Sequence, residues 1–177
     1  MSKLKRGYIQ IYTGNGKGKS TAAIGQAVRS AGFGLKCYLL QFMKDFPYSE
    51  KTSLKRLEDL ITIKQICKDD WVFKKEPAPE EEKQKAHAAL LEAKELMLKQ
   101  EYDLIILDEV CVSIYFGLIK KEDVLDFINS KPKNVELILT GRYCPEEIIE
   151  KADLVTDMKE VKHYYQQGVI SRKGIDS

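Results

Sequence analysis

The sequence predicts an α/β fold of three layers, with a mostly parallel central sheet and helices on both faces. Three observations predict it. Short apolar runs recur at wide spacing, helical patterns lie between them, and a glycine-rich turn joins the first run to the first helical pattern. Strands alternating with helices imply right-handed crossovers, which set strands parallel under covering helices.

The first strand is Tyr8 to Tyr12, followed by a helix over Ser20 to Ala31 and a second strand over Cys37 to Phe42. A helix over Leu54 to Leu60 and a weaker strand over Ile61 to Ile66 come next. The charged stretch from Cys67 to Pro79, with Trp71 inside it, reads as a loop, and long loops in compact domains are often functional. From Glu80 to Gln100 the residues Ala86, Ala89, Leu90, Ala93 and Met97 share one helical face. Pro79 suits the start of that helix, and Glu80, Glu81 and Glu82 complement its dipole. Leu104 to Leu107 is a continuous apolar run ending in Asp108-Glu109, the pattern of a strand buried on both faces. Asp108 and Glu109 could also cap a helix that begins near Val110. Helices over Lys121 to Asn129 and Glu146 to Lys151, and strands over Val135 to Leu139 and Leu154 to Met158, complete the series.

The 177 residues read as a single domain, 1–177, with no repeat or linker to divide them. Its 29 basic and 27 acidic residues leave a formal charge of +2. That excess is too small and too dispersed for a broad grip on nucleic acid or an anionic membrane. No run approaches the ~20 apolar residues of a membrane span, so a cytoplasmic protein is expected. Cys37, Cys67, Cys111 and Cys144 lie too far apart for a zinc or redox motif and read as free thiols.

The most informative segment is Thr13-Gly14-Asn15-Gly16-Lys17-Gly18-Lys19-Ser20-Thr21, between the first strand and the first helix. Glycines allow a tight turn whose N–H groups face a phosphate chain, and the helix adds the positive end of its dipole. Lys19 supplies a mobile positive charge, and the Ser20 hydroxyl suits a magnesium ion bridging phosphate oxygens. The segment is a variant phosphate-binding loop (P-loop), since Thr13 stands where the usual pattern has its first glycine. The fold is accordingly P-loop NTPase-like. A magnesium site also asks for a carboxylate at the end of a neighbouring strand, which Asp108 and Glu109 provide.

These residues resemble the P-loop type of ATP:corrinoid adenosyltransferase. The likeness runs through Tyr12 to Ala23, Gln41-Phe42-Met43-Lys44, Leu107-Asp108-Glu109, Thr140-Gly141-Arg142, Ala152-Asp153, Val161-Lys162-His163, Gly168-Val169 and Lys173-Gly174-Ile175-Asp176. The resemblance implies attack of a reduced Co(I) corrinoid on the ribose 5′ carbon of ATP, with loss of triphosphate. ATP and the corrinoid are then substrates, with Mg2+ or Mn2+ on Ser20, Asp108 and Glu109. Thr13 through Thr21 would hold ATP, in reversed orientation, and Lys19, Glu109 and Arg142 would carry the catalytic roles. Trp71 and Phe73 stand near a family Phe-x-Trp pair, in reversed order, and His163 lies in a family-like stretch; all three would face the corrinoid. The family also suggests a homodimer and a flavoprotein reductant. With six residues ahead of Gly7, an open corrin pocket or one closed by the C-terminal tail or a second subunit is expected.

Structural alternatives stand beside several of these roles. Arg142 suits a surface ion pair, Trp71 and Phe73 suit anchoring of a loop to the core, and His163 suits a satisfied loop residue. The residues alone also leave open a small kinase or ATPase, and a nucleotide-dependent corrinoid-binding protein without turnover.

Overall fold

The computed structural model describes residues 4–44 and 48–176. Six strands, β1 (Ile9–Thr13), β2 (Cys37–Gln41), β3 (Ile61–Gln65), β4 (Leu104–Asp108), β5 (Glu136–Thr140) and β6 (Leu154–Asp157), form one sheet in the order β3-β2-β4-β5-β1-β6. Every pairing is parallel. Helices α1 (Lys19–Gly32), α2 (Ser49–Leu54), α3 (Asp70–Phe73), α4 (Glu80–Leu98), α5 (Val110–Tyr115), α6 (Lys121–Asn129) and α7 (Glu146–Ile149) connect them. No helix among the described residues is long and apolar enough to cross a membrane.

Alternation along the strands builds two cores. Cys37 and Leu39 of β2, with Ile106 of β4, face α1 through Ala23, Ala27 and Ala31. Tyr38 and Leu40, with Ile105 and Leu107, face the opposite layer, where Ala86, Ala89, Leu90, Ala93 and Met97 of α4 meet Val124 and Phe127 of α6. The five positions expected on one face of α4 are the ones it buries. Small residues along α1 let that helix lie close on the sheet, while β4 is buried at all five positions.

Three expectations need correction. The helix expected over Leu54 to Leu60 lies earlier: α2 ends at Leu54, which plugs into the α1-side core, and the chain tightens into a 3-10 turn over Lys55–Leu57. The chain must be extended again by Ile61, and the Leu60 carbonyl already accepts the Cys37 N–H, so no room remains for a helix there. The loop from Cys67 to Pro79 contains the single turn α3. Finally, the carboxylate-bearing strand β4 is not beside β1, because β5 pairs with both and separates them.

Register aligns the site. Gln41 of β2 pairs with Asp108 of β4, and Tyr12 of β1 with Thr140 of β5, so these residues share the carboxyl edge of the sheet, where ligands of open parallel sheets bind.

Candidate functional site

The P-loop is shaped by the strand end behind it. Gly14 has φ 93, and a Cβ there would lie 2.2 Å from the Asp157 carboxylate; one on Gly16 would lie 2.6 Å from the Met158 carbonyl. Only glycine lets the loop approach the end of β6 this closely. The Gly16 N–H donates to that Met158 carbonyl at 2.6 Å, so it is spent on the fold and not aimed at a ligand. Gly18, with φ 122, turns the chain into α1. The Thr13 hydroxyl donates to the Gly141 carbonyl at 2.9 Å, fastening the start of the loop to β5.

Past the loop opens a cavity of about 670 Å³ bounded by Gly16 to Thr21, Lys44, Glu109, Arg142 and the tail residues His163, Tyr164 and Asp176. Lys19 is buried and donates to the Gly16 carbonyl at 2.7 Å. Burial pushes its pKa down, against the pull of the Glu109 carboxylate. Arg142 reaches across to the Asn15 carbonyl at 3.4 Å. Lys17 points to the tail, where the Ile175 carbonyl accepts at 3.0 Å. His163 accepts the Tyr165 N–H on Nδ1 at 3.2 Å.

The acidic pair divides into two roles. Asp108 is fully buried. Thr140 donates to its Oδ1 at 2.6 Å, while Gln41 and Lys44 donate to Oδ2 at 2.9 and 3.0 Å. Burial would raise the Asp108 pKa, but the Lys44 charge and these donors outweigh it and hold the carboxyl below its ordinary value. With no surface toward the cavity and both oxygens engaged, Asp108 stands behind the site, and the expectation that it shares a metal shell with Glu109 gives way to a supporting role. Nor does either acid cap α5 with its side chain.

Glu109 faces the cavity. Its backbone is left-handed, φ 62, and its N–H donates to the Thr140 hydroxyl at 2.9 Å. A non-glycine residue held there costs on the order of 1–3 kcal/mol, a strain typical of functional positions. Its carboxylate accepts no hydrogen bond among the described residues, and burial, followed by the neighbouring Asp108 charge, pushes its pKa up. A partly buried carboxylate and a serine hydroxyl lining the same cavity offer a hard-oxygen donor set. It fits magnesium, which takes one or two protein oxygens and completes its shell with phosphate and water. No three His, Cys, Asp or Glu side chains among the described residues gather into a metal site of their own.

Sequence reasoning assigned no role to Lys44, Thr140 or Asp176. All three stood inside the quoted motifs, but their partners lie far along the chain, and pattern alone cannot pair them.

The family model described as ATP:corrinoid adenosyltransferase BtuR/CobO/CobP matches residues 5–177. The chain belongs to this family. It is 32% identical over 173 residues to the corrinoid adenosyltransferase of Escherichia coli K12, covering 97% of this chain and 86% of that one. The corrinoid adenosyltransferase CobA of Salmonella typhimurium is 31% identical with the same coverage, and that of Pseudomonas aeruginosa 30% identical over 97% and 84%.

For this adenosyltransferase, the residues expected at the corrinoid are not all brought together. His163 lines the cavity, but Trp71 and Phe73 do not. Trp71 is buried, donates from Nε1 to the Lys68 carbonyl at 2.8 Å, and meets Phe116 edge-on with ring centroids 6.2 Å apart. It anchors α3 to the core. Phe73, two positions on, is 79% exposed. Beyond Phe116 the aromatic series continues through Tyr115 to Tyr143, stacked at 4.2 Å beside Arg142.

Proposed function

We propose that the protein transfers the 5′-deoxyadenosyl group of ATP to the Co(I) of a corrinoid, releasing triphosphate and making adenosylcobalamin. The observation that carries this reading is a family match spanning nearly the whole chain, on a cavity that joins the P-loop to Glu109 and Arg142. The cobalt electron pair forms the bond to C5′, and the C5′–O bond breaks with its electrons leaving on the triphosphate. Negative charge therefore grows on the leaving group, and preorganised cations are the effective response. Lys19 and Lys17 meet it from the loop, and Arg142 meets it from the end of β5. Thr13 through Thr21 hold the triphosphate in the reversed sense, which leaves the ribose toward the open side.

Ser20 and Glu109 would hold Mg2+ or Mn2+, with Asp108 supporting from behind; the ion, when bound, supplies further neutralisation of the triphosphate. Phe73 and His163 contact the corrinoid, and Trp71 positions Phe73 from the core. A flavoprotein supplies the reducing electron, and the working form is a cytoplasmic homodimer.

The test incubates the protein with ATP, Mg2+ and chemically reduced cobalamin. Adenosylcobalamin absorbance and one triphosphate per product are expected. ADP with phosphate, or binding without turnover, would replace this reading with phosphoryl transfer or with a non-catalytic role.

A further inference from the structure

Lys44 follows Met43, whose φ of 56 bends the chain after β2. Its ammonium lies 3.0 Å from Asp108 Oδ2, 3.2 Å from the Ser20 hydroxyl and 3.7 Å from Glu50. Its side chain is 11% exposed and lines the cavity. Gln41 closes the set, donating to Asp108 at 2.9 Å and to Glu50 at 3.2 Å. A protein-borne cation thus already occupies the gap between Ser20 and the buried carboxylate.

Resting on the reading of this cavity as a metal-assisted nucleotide site, we propose that Lys44 keeps divalent ions out of the gap between Ser20 and Asp108. The metal then enters with the nucleotide rather than ahead of it. Two cations cannot share one carboxylate at this range without repulsion. Without phosphate oxygens, the ion would have only Glu109 and the Ser20 hydroxyl. With ATP bound, the triphosphate supplies the missing ligands and the charge. Lys44 is a positioning residue in this scheme: it sets where and when the metal binds.

The test reads Mn2+ binding by electron paramagnetic resonance, with no turnover involved. Nucleotide-free wild type is expected to bind Mn2+ at least about tenfold more weakly than wild type with a non-hydrolysable ATP analogue. Lys44→Met should tighten nucleotide-free binding by at least about tenfold, since a unit positive charge is removed beside the site. Lys44→Arg should not, and Lys44→Met combined with Asp108→Asn should lose the gain. Tight Mn2+ binding by nucleotide-free wild type would overturn the proposal without any variant, which matters because Lys44→Met leaves a buried carboxylate unpaired and endangers folding. A folded Lys44→Met with unchanged Mn2+ affinity would overturn it too. If wild type fails to bind Mn2+ even with the ATP analogue, the metal-assisted reading itself falls.

Discussion

The Lys17 ammonium lies 2.9 Å from the Asp176 carboxylate, so the P-loop is bonded to the tail that walls its own cavity. Asp176 is in turn gripped by the Tyr164 hydroxyl and by the Arg172 N–H and Nε, both at 3.1 Å. The Arg172 guanidinium covers the Tyr164 ring at 4.7 Å. If Lys17 meets the triphosphate as proposed, the nucleotide must win it from a carboxylate. Asp176→Asn is expected to tighten ATP binding roughly two- to fivefold, the scale of a partly exposed ion pair. Calorimetric titration checks it, and the gain should vanish when Lys17→Ala is added. An unchanged ATP affinity in Asp176→Asn would mean that Lys17 is not contested.

Lys19→Ala should reduce kcat by about 10²- to 10³-fold, as expected on removing one preorganised charge stabiliser. Steady-state rates with pre-reduced cobalamin measure it, and a loss under threefold would remove Lys19 from the chemistry.

Glu109→Gln trades activity for stability. Because the folded protein raises the Glu109 pKa, the native state holds this proton more tightly than the unfolded chain. Its contribution is therefore present at low pH and is lost as pH rises through the folded value. The variant should melt higher than wild type at pH 7, by about 2–4 °C for each kcal/mol recovered. That gap should close toward pH 4, while metal-supported turnover collapses. A variant that melts lower at pH 7 would contradict the unsatisfied-carboxylate account.

Thr140→Val keeps the shape of the side chain but strips the hydroxyl that joins Asp108 to the Glu109 N–H. Leaving buried polar groups unpaired costs about 1–3 kcal/mol. Chemical denaturation should record a loss of that size, with turnover falling alongside it. A stability change within ~0.5 kcal/mol would show that the bridge is dispensable.

Trp71 and Phe73 should separate cleanly. Trp71→Ala empties a buried site and should cost about 3–5 kcal/mol, impairing turnover whether cobalt is reduced beforehand or on the enzyme. Phe73→Ala should leave stability within about 0.5 kcal/mol while impairing only the assay in which Co(II) is reduced on the enzyme. Equal losses in both assays for Phe73→Ala would sever it from the reduction step.

The 3.6-residue period made α4 and α6 legible because each buries one face, while β2 and β4 were legible as short apolar runs because they are buried on both faces. The boundaries of α2 were not legible, since Leu54 anchors the end of a helix whose earlier residues are all polar. Strand order was hidden too: nothing in the run over Glu136 to Thr140 says that it inserts between β1 and β4. The P-loop and Glu109 could be read from residue chemistry, whereas the engagement of Asp108 by Gln41, Lys44 and Thr140 depends on sheet register. Nor does the sequence show that a Cβ on Gly141 would lie 2.8 Å from the Val112 nitrogen and 3.0 Å from the Cys111 Cβ, so that only glycine fits where the end of β5 meets α5.

The inserted strand β5 also fixes a gauge. Parallel neighbours run about 4.8 Å apart, so the backbones leading to Ser20 and to Glu109 are set roughly 10 Å apart by one intervening strand. That span would accommodate the proposed ion with its phosphate oxygens, where direct contact of β1 and β4 would halve it. The reach between the two strand ends that carry the proposed site is thus written into the topology of the sheet.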